Sequence, residues 1–271
     1  MPGITIKRQG DFQYVEFTSF AATGLVTHCF TTRHGGIGVG PYGSLNMALH
    51  VGDEPATVLA NRKIACAALG INPAHLVAAV QVHGHRVQVV GEEHKGSGAM
   101  DYSTAIPDTD ALITSVPGVP LSSYYADCVP ILLLDPVKVV VGLAHAGWRG
   151  TVQRIAGETV KKMSQVFGSD PGDILAGIGP SIGPCCYEVD LPVQQAVSQA
   201  FPRWQELLKP TKPGYWLLDL WAANRRALLD AGIREQHITV ARLCTSCRTD
   251  LFFSYRTNGQ TGRMASLIMI K

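Results

Sequence analysis

The chain has 271 residues, of which 46% are hydrophobic and 16% charged, and its net charge is +2. Soluble proteins usually carry about 25% charged residues, so this balance excludes a disordered chain, and a chain of this length buries enough surface to fold without disulfides. No block of Lys or Arg accompanies the near-neutral charge, which argues against a nucleic-acid partner, because phosphate-backbone recognition needs clustered cations.

Residues 1–11 contain no signal-peptide h-region. A strand is expected over 25–30, then a helix over 54–69, where Val58, Leu59, Arg62 and Ala65 recur at helical spacing and Gly70 stops the run. Short runs rich in Val, Ile and Leu predict strands over 76–82, 86–90, 111–114, 129–134 and 139–144. A helix over 151–167 ends at Gly168, a strand follows over 174–178, helices over 191–201 and 218–231, and a last strand over 265–270. Several of these strands are apolar throughout, which implies burial on both faces. The order is not strictly β-α-β-α, and there is no repeat, low-complexity tract or linker. The expectation is therefore one domain over 1–271 with an α+β (mixed α/β) fold. Asp135 and Lys138 interrupt the richest apolar stretch, so no run approaches the ~18 residues of a membrane span. Seven cysteines, an odd number without a secretion signal, point to reduced thiols in the cytoplasm.

Several local motifs fail on context. Gly38-Val39-Gly40-Pro41-Tyr42-Gly43 matches a dinucleotide fingerprint, but Pro41 lies inside it and no helix pattern follows. Gly179-Pro180-Ser181-Ile182-Gly183 matches a hydrolase nucleophile elbow, yet Pro184-Cys185-Cys186 opens a helix poorly. No histidine begins H-E-x-x-H or the H-x-E of base deaminases. Cys244-Thr245-Ser246-Cys247 is a single C-x-x-C without a second pair at finger-like spacing, and reads equally as two thiols at a turn. No role is assigned to Cys185, Cys186, Cys244 or Cys247.

Three segments share one design: Val80-Gln81-Val82-His83-Gly84, Ala126-Asp127-Cys128-Val129-Pro130 and Leu143-Ala144-His145-Ala146-Gly147-Trp148-Arg149-Gly150. Each places a potential metal ligand at a strand end, where a rigid sheet aims side chains into a common pocket. Two imidazoles and a thiolate suit Zn²⁺ with a fourth position open. Taken singly, each of the three also reads as a buried thiol or a core imidazole.

Longer stretches carry a resemblance. Phe30-Thr31-Thr32-Arg33-His34-Gly35-Gly36, Leu45-Asn46 with Val51-Gly52-Asp53, and the three segments above resemble motifs of the YfiH family, also called the multicopper polyphenol oxidase (laccase-like) family. Gly179-Pro180, Cys186-Tyr187-Glu188-Val189, Leu218-Asp219-Leu220-Trp221, Cys244-Thr245, Phe253-Ser254-Tyr255-Arg256 and Thr261-Gly262-Arg263-Met264 continue it to the C-terminus. The resemblance implies a YfiH-like fold of packed mixed β-sheets flanked by helices. It implies a zinc site at His83, Cys128 and His145. It also implies phosphorolysis of adenosine, inosine, guanosine and methylthioadenosine, with adenosine deamination beside it.

On that reading the partners are purine nucleosides and phosphate. Arg33, Arg149, Arg256 and Arg263 are the candidate phosphate donors, since forked guanidinium groups match phosphate. Asp127 is expected to orient a ligand histidine or act as a base. Asn46 and Glu188 are candidates for ribose or base edges, with a turn or cap role as the alternative. Competing readings are a cysteine hydrolase with Cys128 as nucleophile and His145 as base, and an enzyme of aberrant peptidoglycan precursors, a task also proposed within the family. A multicopper oxidase fits poorly, because His83-Gly84-His85 is the sole His-x-His pair.

Overall fold

The computed structural model describes residues 3–271; Met1 and Pro2, which open the stretch read as leaderless, lie outside the described residues. In chain order the strands are β1 (Ile4–Gln9), β2 (Phe12–Phe17), β3 (Val26–Thr31), β4 (Val87–Val89), β5 (Ala111–Thr114), β6 (Leu121–Tyr125) and β7 (Val129–Asp135). Then come β8 (Val140–Ala146), β9 (Leu175–Ile178), β10 (Glu188–Asp190), β11 (Leu208–Lys212), β12 (Tyr215–Leu218), β13 (Ile238–Val240) and β14 (Met264–Ile270). The helices are α1 (Thr18–Thr23), α2 (Pro55–Leu69), α3 (Trp148–Val152), α4 (Ile155–Phe167), α5 (Leu191–Ala200), α6 (Leu220–Asp230) and α7 (Tyr255–Asn258). No helix among the described residues is long and apolar enough to cross a membrane.

Three sheets form. One has the order β1-β2-β3-β14-β6, a second β10-β12-β11, and a third β13-β9-β7-β8-β5-β4. The third is mixed, with parallel pairs β13–β9 and β4–β5 beside antiparallel β5–β8, β7–β8 and β7–β9. The other two are antiparallel throughout.

The six-stranded sheet is covered on both faces, and the two-residue period of β7 shows how. Val129, Ile131 and Leu133 belong to a core with Ile155, Val160 and Met163 of α4 and Ala223, Ala227 and Leu228 of α6. Leu132 and Leu134 point the other way, into a core with Val15, Phe30, Tyr125 and Ile268 of the five-stranded sheet. A continuously apolar strand is the expected composition for such a position. On the outer face of the five-stranded sheet, Cys29, Ala265 and Leu267 pack on Ala65 and Cys66 of α2. The molecule is thus layered helix, sheet, sheet, helix, in agreement with the expected mixed fold.

Two expected elements differ. The run 76–82 is not a strand; it makes isolated parallel bridges through Val77 and Ala79. Its polar groups find other partners: the Gln81 amide brackets the Tyr124 backbone, and the Val82 N–H donates to Asp110. The helix expected over 151–167 is broken instead into α3 and α4. Arg154, between them, takes a left-handed φ of 61°, and its guanidinium is held by Asp230 and the Ala200 carbonyl. The break re-aims the chain, so that α3 faces a cleft while α4 lies on the sheet. Strands β1, β2, β6 and β10–β13 are further additions to the expected set.

Candidate metal centre and its cavity

The cleft lies where β7 begins and β8 ends. Because Pro130 pairs with His145 across this antiparallel ladder, Cys128 and His145 stand at the same end of one hairpin. His83 reaches them from the loop after residue 80. The ligating atoms of His83, Cys128 and His145 all lie within 4.8 Å of one another, with the two imidazole rings edge to face at 4.9 Å.

Two glycines of the His145-Ala146-Gly147-Trp148-Arg149-Gly150 turn make this approach possible. A Cβ on Gly147 would lie 2.8 Å from His83 Cδ2 and 3.1 Å from Cys128 Sγ, and one on Gly150 would lie 2.9 Å from the Gly84 carbonyl oxygen. His83 itself has a left-handed φ of 61°, and Asp127, beside the second ligand, one of 91°. Such conformations cost about 1–3 kcal/mol each and persist where surroundings over-determine them.

For His83, Asp110 supplies that determination, and sequence reasoning missed it. Its Oδ1 accepts from the His83 N–H at 3.0 Å, and its Oδ2 from Val82 and Gly84 at 3.1 and 2.7 Å. Its Oδ1 also lies 2.9 Å from His145 Nδ1. An ionised Asp110 makes Nδ1 the protonated nitrogen, which leaves the Nε2 lone pair of His145 for the cluster. Burial pushes the Asp110 carboxyl up, but the hydrogen bond and charge of His145 and the loop N–H donors hold it below its ordinary value. Burial likewise raises the Cys128 thiol. The charge of His145 and hydrogen bonds from both imidazoles outweigh burial and favour the thiolate, while His145 is lifted above its ordinary range by Cys128 and Asp110. Without a metal these shifts favour a thiolate–imidazolium pair of Cys128 and His145; a metal ion at His145 Nε2 would displace the proton there and leave the thiolate and neutral imidazoles that such a site needs. The only signal for Asp110 in the sequence is an acid directly ahead of an apolar strand.

His83 and Cys128 line a cavity of about 300 Å³ together with Asp127, Trp148, Arg149, Ile182, Tyr187, Tyr255 and Arg256, and His145, buried, adjoins it through the cluster. Six expected residues, His83, Asp127, Cys128, His145, Arg149 and Arg256, therefore meet in one place. Arg149 is exposed, with its guanidinium 4.6 Å from the centre of the Trp148 ring. Arg256 lies over Tyr187 at 4.9 Å and donates to the Glu188 carbonyl. The Asp127 carboxylate accepts from Thr245 Oγ1 at 2.6 Å and from the Arg256 N–H at 2.7 Å. Orienting a ligand histidine, expected of Asp127, thus falls to Asp110.

Four expected substrate contacts stand outside the cavity lining. Arg33 donates to the carbonyls of Gly43 and Thr249, bracing two loops. Asn46 is buried with its amide engaged by Ala48, Asp53 and the Arg263 N–H, so its turn role prevails. Glu188 accepts from Thr211 and Lys212. Arg263 is half-buried and donates to the carbonyls of Thr261 and Gly262. Backbone carbonyls are abundant and fixed, and a motif read linearly does not reveal that they already occupy a side chain.

The rejected motifs stay rejected. Gly40–Tyr42 is a single 3₁₀ turn. Ser181 is fully buried and accepts from the Trp221 indole at 2.7 Å, not exposed on an elbow. His85 sits beside Gln153, outside the His83 cluster.

Comparison with known proteins identifies the family and the fold. The model of the family described as multi-copper polyphenol oxidoreductase laccase matches residues 27–271. The chain is 46% identical over 240 residues, 88% of each chain, to the purine nucleoside phosphorylase YlmD of Geobacillus stearothermophilus. It is 34% identical over 247 residues, 90% of this chain and 94% of the other, to adenosine deaminase RL5 from an unknown prokaryotic organism. The crystal structure of YlmD from Geobacillus stearothermophilus superposes with a TM-score of 0.93 at 41% identity, covering 98% of both chains.

Proposed function

The chain belongs to the family described as multi-copper polyphenol oxidoreductase laccase, and on that premise we propose that it is a zinc-dependent purine nucleoside phosphorylase with adenosine deaminase activity. The substrates proposed are adenosine, inosine, guanosine and methylthioadenosine, and the compartment is the cytoplasm. The observation that carries the reading is the cluster of His83, Cys128 and His145, two of which line a cavity together with two arginines.

The donor set fits zinc: two nitrogens and one thiolate, oriented by a buried carboxylate and packed against Gly147, where a Cβ would press on His83 and Cys128. Zinc held by these residues supplies Lewis acidity for leaving-group stabilisation or nucleophile activation. The chain's own residues do the rest. Arg149 and Arg256 hold monohydrogen phosphate against the ribose, whose C1′ gains a phosphate oxygen as its bond to the purine nitrogen breaks; the purine leaves with the proton that the phosphate gives up. Trp148 and Tyr187 offer aromatic walls to a purine ring. Asp127 fixes the backbone from which Arg256 projects, so its proposed role is positioning. A cavity of about 300 Å³ is at the small end of the range for ligand sites, which suits a nucleoside better than a polymer.

The test is elemental analysis of purified protein together with an inosine assay. Hypoxanthine and ribose 1-phosphate should appear only when phosphate is present, and folded His83→Ala and Cys128→Ala variants should be inactive. Release of hypoxanthine that survives removal of metal or of phosphate would overturn the proposal, as would a zinc-loaded protein inert toward all four nucleosides.

A further inference from the structure

Four of the seven cysteines converge on a second point away from His83, Cys128 and His145. Cys185 and Cys186 lie on the turn after β9, and Cys244 and Cys247 on the turn after β13. Their sulfur atoms all lie within 4.8 Å of one another, and all four are free thiols. Cys247 Sγ is 3.4 Å from Cys185 Sγ and 3.3 Å from Cys186 Sγ. The missing partner pair of the C-x-x-C motif is thus the adjacent Cys185–Cys186, brought to it by the fold.

The two turns are locked side by side. Ser181 and Cys244 form a parallel bridge, the Ser181 N–H donates to the Leu243 carbonyl at 3.2 Å, and the Thr245 N–H donates to the Ser181 carbonyl at 3.1 Å. The Gly183 N–H points at Cys244 Sγ, 3.2 Å away. A backbone donor aimed at sulfur favours the thiolate, the form that binds metals.

The spacing favours one shared centre over two pairs. A tetrahedral ion with metal–sulfur bonds of about 2.3 Å sets its sulfurs about 3.8 Å apart, within the span of this cage. A disulfide would need one pair at about 2.05 Å, whereas Cys247 stands almost equidistant from two candidates. We propose that Cys185, Cys186, Cys244 and Cys247 form a second metal site, a four-thiolate structural centre for a zinc-class ion. Four protein ligands leave no open position, so the site is structural rather than catalytic. The ion would staple the turn carrying Ile182 and Tyr187 of the cavity wall to the turn carrying Thr245, the residue that holds Asp127. Cys185 and Cys247 are exposed, so the centre is open to chelators and oxidants.

This inference does not depend on the reaction proposed above, because stoichiometry and spectra report it directly. Protein purified under reducing conditions should hold about two zinc ions per chain, and the His83→Ala/His145→Ala and Cys185→Ser/Cys247→Ser variants about one each. Cobalt loaded into the histidine variant should give the intense charge-transfer absorption of a tetrathiolate, absent from the cysteine variant. Cys247→His, which keeps a zinc ligand, should restore the second equivalent and guards against simple misfolding of the serine variant. About one zinc ion per parent chain, unchanged by Cys185→Ser/Cys247→Ser, would overturn the proposal, as would a disulfide among these cysteines in freshly reduced, metal-loaded protein.

Discussion

Replacing Asp110 by asparagine removes one charge without changing shape, and the hydrogen-bond geometry determines the cost. The carboxylate accepts four hydrogen bonds, two on each oxygen: His83 N–H and His145 Nδ1–H on Oδ1, and Val82 N–H and Gly84 N–H on Oδ2. An amide has a single acceptor oxygen, so either orientation sets its NH₂ group against two donors. Hydrogen bonds to charged groups contribute about 1.5–3 kcal/mol each, which puts the gross loss near 3–6 kcal/mol. Relief of the carboxylate's own burial, and water reaching the exposed His83 loop, return part of it, so the expected net destabilisation is about 2–4 kcal/mol. With the amide NH₂ toward His145, the imidazole also switches tautomer and presents an N–H to the cluster. Loss of such a supporting carboxylate lowers metal affinity about 10–100-fold. Two measurements separate these effects: urea unfolding of the metal-free protein, and zinc competition against a chromophoric chelator. An Asp110→Asn variant with parental zinc affinity and an unchanged unfolding midpoint would refute the assignment of Asp110 as the group that holds both histidines.

The same geometry sets the outcome of other substitutions. Gly147→Ala should leave the fold intact, since Gly147 has an ordinary φ of −67°, yet cut zinc affinity at least about tenfold, because its methyl would press on His83 and Cys128; isothermal titration beside circular dichroism reads both. Arg149→Ala and Arg256→Ala should each raise the KM for phosphate about tenfold or more, equivalent to about 1.4 kcal/mol, at unchanged zinc content. Steady-state kinetics at varied phosphate checks this, and an unaltered phosphate KM would remove them from the anion site. Burial lowers His28 to about 4, so below its ordinary value of 6.5 the unfolded chain binds a proton that the folded chain refuses. Its contribution is complete above that value and is lost as the pH falls toward 4, by up to about 3 kcal/mol. The pH dependence of the urea midpoint should therefore flatten over that interval in His28→Asn relative to the parent.

The sequence makes the layered core legible, because burial on both faces of β7 and β8 leaves no polar residue in the run from Val129 to Leu134 and little choice of element. It makes Cys128 and His145 of the proposed metal site legible for a related reason, since each sits where an apolar strand meets a bend, whereas His83 follows an apolar run that forms only isolated bridges. The short strands β10–β13 are less visible, since they are exposed or half-exposed and carry Lys, Pro and Thr at positions where packing exerts little selection. Asp110 is hidden because its partners are backbone N–H groups some 26–28 residues upstream and a histidine 35 residues downstream. Arg33 and Asn46 invite over-reading for the converse reason: their partners are main-chain atoms that side-chain chemistry does not advertise. The vicinal cysteines show a third limit, since a pair 61 residues from its complement looks solitary in one dimension.

The hairpin of β7 and β8 also has a bearing on the order in which the site is assembled. Contacts between neighbours in sequence close early, because a short loop loses less entropy on closure than a long one. Cys128 and His145 are therefore brought together by one local turn, whereas His83 joins them only after the loop near residue 83 docks on Asp110. A nascent chain at the hairpin stage offers a metal one thiol and one imidazole, a weak bidentate grip that many ions share. On the proposed zinc site, the third ligand and the oriented tautomer arrive with the finished fold, so discrimination among metals would be exercised by the completed protein and not along its folding route.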